Sequence, residues 1–161
     1  VIFSKMAGPR GHATVNRKCI GQNADKILNM MGISAPATTR LAIVEVLEDH
    51  PLLWTEQMMP VMPICRVPNV DYAIDIALQM EGHNYHTALM HSRNIDKLSK
   101  MARLCNCSIF VKNGRSQAGL GYGGEGHTSF TIASPTGEGL TTPRSFSRER
   151  RCTMVDHFRI V

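Results

Sequence analysis

A glycine-rich stretch, GLGYGGEG at residues 119–126, has the spacing G-x-G-x-x-G that is typical of a dinucleotide-binding turn. In such a turn the glycines allow the backbone to approach a pyrophosphate, and the helix that follows directs its N-terminus at the phosphates. The residues after the last motif glycine, EGHTSFTIASPTGEG, contain Pro135 and lack helical periodicity, so the required helix is missing. The stretch is therefore predicted to be a loop whose glycines allow close approach to a ligand or to another strand.

Five cysteines and seven histidines are the other residues whose chemistry could define a site. An odd number of cysteines without a visible secretory signal predicts reduced thiols in the cytoplasm. Cys105 and Cys107 form a C-x-C pair rather than the C-x-x-C of redox or zinc sites, and the histidines lack the spacings H-x-x-x-H and H-E-x-x-H. We therefore expect no metal site.

The composition is that of a folded protein with a modest excess of positive charge. Hydrophobic residues make up 43% and charged residues 19% of the 161 residues, and the formal net charge is +5. No apolar run is long enough to cross a membrane. Much of the positive charge lies in PRSFSRERR, which is short for a nucleic-acid-binding arm. We expect neither a membrane nor a nucleic acid as partner.

The elements that must position these residues can be predicted from the spacing of apolar side chains. Apolar residues recur at helical spacing in three segments. Gly32 is placed to end the first, and Asn69 and Asn94 are placed to cap the second and the third. The predicted helices cover residues 23–31, 70–81 and 95–104.

Four continuous apolar runs, LAIVEV, VMPICRV, TALMH and SIFVK, are typical of strands buried on both faces of a sheet. Their alternation with helices from Val61 to Lys112 predicts an α/β fold, a parallel sheet with flanking helices. Pro63 inside its run indicates an edge strand or a bulge. Two further strands are predicted beyond the long loop that follows Asn113, at about residues 128–132 and 151–155.

Several longer segments together resemble one enzyme family. They are TEQMMPVMPICRV, GHNYHTALMHSRN, SIFVKNG, GLGYGGEGHTSFTIASPTGEGLT and RSFSRERRC. In order and spacing, from about Asn16 to the end, they resemble the CoA-acylating aldehyde dehydrogenases of the bacterial microcompartments for propanediol and ethanolamine. The resemblance implies that the chain is only a C-terminal part of such an enzyme. Residues 1–143 would be the latter part of the catalytic domain, and residues 144–161 a terminal oligomerisation strand.

The resemblance also implies a reaction. An aldehyde, CoA and NAD would give acyl-CoA and NADH through a cysteine thioester, and the nucleophilic cysteine would lie upstream of this chain, so the chain alone would be inactive. Cys19 and Cys65 are therefore expected to be packing residues. The implied partners are a small aldehyde, further copies of the chain in a homo-oligomer and a microcompartment shell. The implied location is the cytoplasm, inside such a compartment.

Individual site residues follow from the same resemblance. Glu56 matches a carboxylate that accepts hydrogen bonds from the nicotinamide ribose; alternatively it is a solvated loop residue. Met58 matches a residue that packs near the nicotinamide, or it fills the core. Tyr122, followed by Gly123 and Gly124, matches a wall of the aldehyde pocket; alternatively, Tyr122 is a surface aromatic packed on its own loop.

His86 is the candidate acid–base group. The CoA thiol must lose a proton before it attacks the thioester, and a histidine titrates in the required range. His86 opens the HTALMH run, at the entrance of a predicted strand, where ligand-contacting residues collect. The alternative is a structural histidine held by hydrogen bonds.

Two other functions stay open. One is an NAD-dependent aldehyde dehydrogenase that uses water as the acceptor and releases a free acid. The other is a non-catalytic scaffold or interaction domain that is built on the same fold and assembles through its terminal strand.

Overall fold

The three helices expected from apolar spacing are present in the computed structural model of the chain, which describes residues 1–133 and 139–156. A fourth, single-turn helix was not predicted; it begins at a proline, which lacks the N–H that a helix start leaves unpaired. Their bounds are α1 Ala24–Met30, α2 Pro51–Trp54, α3 Val70–Glu81 and α4 Ile95–Cys105. The chain divides into two units, Val1–Met80 and Glu81–Val161, which are described separately.

The first unit contains two small sheets. Strand β1 (Phe3–Lys5) pairs with β2 (Thr14–Val15) in antiparallel fashion, and β3 (Ala42–Glu45) pairs in parallel with β4 (Val61–Ile64). The helix α1 buries Ala24 and Ile27 on one face, as its apolar spacing predicts. A core cluster joins this face to the second sheet, with Cys19, Ile27 and Val61 at its centre.

Strand β4 can contain Pro63 because the backbone nitrogen of this residue does not face the neighbouring strand β3. The carbonyl groups of Pro60 and Ile64 accept hydrogen bonds from the amides of Ala42 and Val46, at 3.0 and 2.8 Å. Alternate residues of β4 therefore face β3, and the N–H that Pro63 lacks would point away from it. Within the described residues β4 pairs only with β3, and the register of this pair runs through Pro63 without a bulge.

The second unit is built on one strand–helix–strand crossover. Strand β5 (Thr87–Met90) pairs in parallel with β6 (Ile109–Lys112), and α4 connects them. The side chain of Asn94 caps α4 as predicted, accepting hydrogen bonds from two backbone amides at 3.1 Å. After β6 come a 3-10 helix, a short antiparallel pair and a second 3-10 helix. They are Ser116–Leu120, β7 (Ile132–Ala133) with β8 (Gly139–Leu140), and Pro143–Phe146.

The α/β class is confirmed, but the sheet differs from the prediction. A single parallel sheet through β4 and β5 was expected, whereas these strands belong to separate two-stranded sheets. The strands are also not buried on both faces: Ala42 and Val44 pack against the core, while Ile43 is 62% exposed. A continuous apolar run predicts two buried faces only where both faces are covered.

Of the two other predicted strands, one is shifted in position and the other does not form within the single chain. The strand expected at residues 128–132 forms only at its end, as the first residue of β7. Residues 151–156 form no strand within the chain. A strand needs a partner for its backbone groups, and no described part of this chain pairs with that segment. Among the described residues, no helix is long and apolar enough to cross a membrane.

Candidate functional site

The backbone of His86 is fixed between the end of α3 and the start of the β5–β6 pair. Its amide donates to the carboxylate of Glu81, the last residue of α3, at 3.3 Å. Its carbonyl accepts a hydrogen bond from the amide of Ile109 at 3.1 Å. His86 therefore stands one residue before β5, at an end of the parallel pair, with an exposed side chain.

His86 lines a cleft of about 300 Å³. Its Nδ1 lies 2.7 Å from Oγ1 of Thr87, so this ring nitrogen is engaged in a hydrogen bond. The cleft combines two hydroxyl groups with apolar side chains, which suits a small, mostly apolar ligand. Its lining residues are His86, Thr87, Ser116, Leu120, Phe130 and Ile132.

At the opposite end of the β5–β6 pair, a side chain continues the hydrogen bonding between the two strands. Asn113 follows β6, and its amide oxygen accepts from the backbone N–H of Ser92 at 2.7 Å. The amide nitrogen of Asn113 donates to the carbonyl of Ser92 at 2.9 Å. The Asn113 side chain thus pairs with Ser92 as another strand residue would. It continues the hydrogen bonding between β5 and β6, the pair next to which His86 lies, beyond the last backbone hydrogen bond.

The glycine loop packs against β6, and three glycines have no room for a side chain. A Cβ at Gly119 would overlap the side chain of Ile109, and one at Gly124 would overlap the carbonyl of Ala118. A Cβ at Gly121, where φ is +91°, would lie 2.8 Å from the carbonyl oxygen of His127. The G-x-G-x-x-G spacing therefore serves close packing of the chain on itself, and the predicted close approach is confirmed.

Tyr122 projects from this loop and is 61% exposed. The guanidinium carbon of Arg115 lies 4.5 Å from the centre of its ring, which is a cation–π contact. Tyr122, Gly123 and Gly124 are not among the residues that line the His86 cleft. Their role as a pocket wall stays a prediction.

Glu56 and Met58 belong to the first unit, in the segment that links α2 to β4. The carboxylate of Glu56 is exposed and has no hydrogen-bond partner among the described residues. Met58 is 69% exposed with φ of +53°, so it does not contribute to the core formed by the described residues. Met59, its neighbour, packs against the core instead. His86 and the glycine loop belong to the other unit.

The cysteines differ in how far they are buried. Cys19 is fully buried in the core of the first unit, as predicted, while Cys65 lies one residue beyond β4 and is only half-buried. In the second unit burial raises the pKa of Cys105, and burial together with the neighbouring Cys105 raises the pKa of Cys107 to about 11. Within residues 1–133 and 139–156, no three histidine, cysteine or carboxylate groups come together as a metal site.

Sequence reasoning named His86 as a candidate, which stays a prediction, and it did not name the other residues that line the cleft. Thr87 was assigned only to a strand, and neither Ser116 nor Phe130 lies in a motif that carries a chemical signal. The one available hint was the hydroxyl directly beside His86 in the chain. The rest of the lining comes from the 3-10 helix and the loop after it, whose fold the sequence did not predict.

Two curated relatives match nearly the whole chain. The acetylating acetaldehyde dehydrogenase EutE of Salmonella typhimurium is 52% identical over 160 residues, which cover 99% of this chain and 34% of that protein. The CoA-propanoylating propanal dehydrogenase of the same organism is 47% identical over 153 residues, covering 94% of this chain and 32% of that protein. The chain thus spans about a third of the length of these relatives. No family model matches it.

Solved structures agree with the fold. The Rhodopseudomonas palustris propionaldehyde dehydrogenase, with bound CoA and an acylated cysteine, superimposes with a TM-score of 0.80 at 51% identity, over 87% of this chain and 32% of that one. An engineered glycolyl-CoA reductase with bound NADP+ gives the same score, identity and coverage. A propionaldehyde dehydrogenase from the fucose-utilisation microcompartment of Clostridium phytofermentans gives 0.79 at 43% identity, over 91% and 34%.

These similarities extend over almost all of the 161 residues, in sequence and in fold alike. They confirm the resemblance seen in the motifs, including the expectation that the matched stretch is only part of such an enzyme. The chain belongs to the CoA-acylating aldehyde dehydrogenases and corresponds to about a third of their length.

Proposed function

We propose that the protein to which this chain belongs oxidises a small aldehyde with NAD and transfers the acyl group to CoA. A cysteine that lies upstream of this chain would carry the acyl group as a thioester. The observation that carries this proposal is the 52% identity to an acetylating acetaldehyde dehydrogenase over nearly every residue. The relatives act on acetaldehyde and propanal, so a short aliphatic aldehyde is the proposed substrate class.

Glu56 and Met58 are proposed to bind the nicotinamide end of the dinucleotide. The exposed carboxylate of Glu56 has no partner among the described residues, which fits an acceptor for two ribose hydroxyls. Met58 exposes an apolar surface beside it in the chain. Bound NAD would supply the acceptor for the hydride that leaves the aldehyde carbon. A contact at the nicotinamide ribose serves NAD and NADP equally, and one structural relative holds NADP+.

Tyr122, Gly123 and Gly124 are proposed to form a wall of the aldehyde pocket. Support comes from the exposed ring of Tyr122, which Arg115 holds in a cation–π contact. The glycine loop beneath it is fixed against β6.

His86 is proposed as the base of acyl transfer. The CoA thiol gives its proton to the imidazole, and the CoA sulfur forms a bond to the carbonyl carbon of the thioester. The enzyme's cysteine sulfur leaves with the electron pair of its bond to that carbon, and the imidazolium then loses its proton to water. The position of His86 on a cleft with apolar walls supports this role.

Replacing His86 by alanine in the complete protein tests the assignment. Acyl-CoA formation should fall about 100-fold or more, the usual contribution of a general base, while the first-turnover burst of NADH stays near its wild-type size. Stopped-flow absorbance measures the burst, and chromatography measures acyl-CoA. His91→Ala is the matched control, because His91 is also exposed and follows the same strand. Equal loss of both steps would remove His86 from acyl transfer.

The reaction product distinguishes the proposed acylating activity from that of an aldehyde dehydrogenase that uses water as the acceptor. If the complete protein forms acyl-CoA from an aldehyde, NAD and CoA, the acylating activity holds; if it forms free acid at the same rate with and without CoA, it is a water-dependent dehydrogenase. A scaffold would bind no dinucleotide at all, which calorimetry with NAD and NADP would detect.

We also propose that the protein is a homo-oligomer whose terminal segment, residues 144–161, contributes to the subunit contact. In its described part the segment is exposed. The similarity to an enzyme from a bacterial microcompartment supports a location inside such a compartment in the cytoplasm, next to its shell.

A further inference from the structure

Only one nitrogen of the His86 ring has a hydrogen-bond partner among the described residues. Its Nδ1 lies 2.7 Å from the hydroxyl oxygen of Thr87, whereas Nε2 has no hydrogen-bond partner among the described residues. A neutral imidazole carries its proton on one nitrogen and a lone pair on the other. Which nitrogen carries the proton is set by the hydrogen bond that the engaged nitrogen makes.

The hydroxyl of Thr87 can act on this choice because its own position is fixed. Thr87 is the first residue of β5 and pairs in register with Ile109 of β6, and a threonine on a strand has few side-chain rotamers. The backbone of His86 is held on both sides, by the carboxylate of Glu81 and by the amide of Ile109. The fold thus holds the backbones of His86 and Thr87 in place, and the side-chain rotamer of His86 brings its ring to the Thr87 hydroxyl.

We propose that Thr87 is a positioning residue that makes Nε2 of His86 the base. Its hydroxyl oxygen accepts the hydrogen bond of Nδ1–H, which places the ring proton on Nδ1 and leaves the lone pair of Nε2 directed at the cleft. This inference rests on the proposed role of His86 in acyl transfer. In this role Thr87 selects one tautomer and one orientation of the His86 ring, and it does not contact the reacting atoms.

Three variants of Thr87 in the complete protein test the proposal. Thr87→Val keeps the shape and the strand preference but removes the acceptor, so acyl transfer should fall about five- to tenfold, the effect expected from one neutral hydrogen bond. Thr87→Ala should show the same loss, and Thr87→Ser should restore acyl transfer because its hydroxyl can accept the same bond. The first-turnover burst of NADH should be unchanged in all three. Thr128→Val is the matched control, since Thr128 is exposed and is not among the cleft residues.

A spectroscopic measurement on the unmodified protein is independent of these variants. With ¹⁵N-labelled histidine, the two ring nitrogens have different chemical shifts according to which carries the proton, and the His86 signals are assigned by their absence in His86→Gln. At a pH at which the ring is neutral, we expect the proton on Nδ1. A proton on Nε2 would mean that Thr87 donates the bond, and it would overturn the proposal.

The outcomes distinguish the role proposed for His86 from the role proposed for Thr87. If His86→Ala leaves acyl transfer intact, His86 is not the base and the role of Thr87 fails with it. If His86→Ala loses acyl transfer but Thr87→Val retains it, only the positioning role fails. Loss in Thr87→Val without rescue by Thr87→Ser would also overturn that role, because packing rather than the hydroxyl would then explain the loss.

Discussion

Two thiols near the start of β6 show how one residue's surroundings set its reactivity. Cys107 lies two residues after the buried Cys105, and burial followed by the nearby Cys105 raises its pKa to about 11. Cys152 is exposed in the terminal segment. Because the thiolate is the reactive form, a thiol that stays protonated at pH 8 reacts slowly with alkylating reagents.

We therefore expect iodoacetamide at pH 8 to modify Cys152 well before Cys107. The labelling rate of Cys107 should rise as the pH approaches 11, because its proton leaves only in that range. Peptide mass spectrometry over a time course measures both rates, and denatured protein serves as the reference for a fully exposed thiol. Equal rates at pH 8 in the folded protein would contradict the raised pKa.

One candidate residue could be named from the sequence. His86 was singled out by the family resemblance of the segment GHNYHTALMHSRN together with the chemistry of histidine, and its role stays a prediction. Its hydrogen bond to Thr87 depends on a side-chain rotamer and on the strand end, and neither is encoded in spacing. Phe130 precedes β7 and Ile132 is its first residue, and a strand predicted from sequence does not show which other elements it meets, so the sequence could not place them at the cleft.

The glycine loop offers a matched pair of positions at the scale of one element. Gly121 and Gly126 have nearly the same backbone, with φ of +91° and +92°. A Cβ at Gly121 would lie 2.8 Å from a backbone carbonyl, whereas a Cβ at Gly126 would meet nothing within 4 Å. The two positions separate the energy of an unfavourable φ from that of a steric overlap.

Alanine at each position should lower the free energy of unfolding by different amounts. Gly126→Ala should cost about 1 kcal/mol, because only the left-handed backbone conformation opposes it. Gly121→Ala should cost about 1–3 kcal/mol more, since the loop must shift to remove the overlap. Urea denaturation of the complete protein, followed by fluorescence, measures the difference. Equal losses would indicate that the loop moves freely away from the 127–128 backbone.

Helices were predictable because their periodicity is local, and strand pairing was not. The bounds of α1, α3 and α4 agree with apolar spacing within one residue, and Asn94 caps α4 as its position predicts. The partner of each strand depends on distant parts of the chain, so β4 and β5 were wrongly joined into one sheet. The short strands β1 and β2 lack enough residues for a pattern to emerge.

At the scale of the whole molecule, the described part of the terminal segment beyond Ser147 is exposed. Among the described residues, none from Arg148 to Asp156 forms a backbone hydrogen bond to another described residue, and all are exposed. Unpaired backbone groups of this kind can add to the edge of another sheet. The strand predicted here would then form only when a second subunit provides the partner, which no periodicity in one sequence could establish.

Ending the complete protein after Phe146 should therefore reduce its oligomeric state. Light scattering coupled to size-exclusion chromatography measures the mass of the assembly, and circular dichroism shows whether the shortened chain stays folded. Replacement of Arg148, Arg150 and Arg151 by glutamine is the control, because it removes the charge and keeps the backbone. An unchanged mass after the truncation would exclude the segment from the subunit contact.

The crowded glycines of the loop also matter for how this gene can vary. Every single-base change in a glycine codon that alters the amino acid either introduces a Cβ or stops translation. At Gly119, Gly121 and Gly124 that Cβ would collide with Ile109, His127 and Ala118, respectively. Every change of amino acid at these codons therefore disturbs the packing of the loop. At Gly126 the space is open. Natural variation in this loop should therefore accumulate at Gly126, while changes of amino acid at Gly119, Gly121 and Gly124 should be rare.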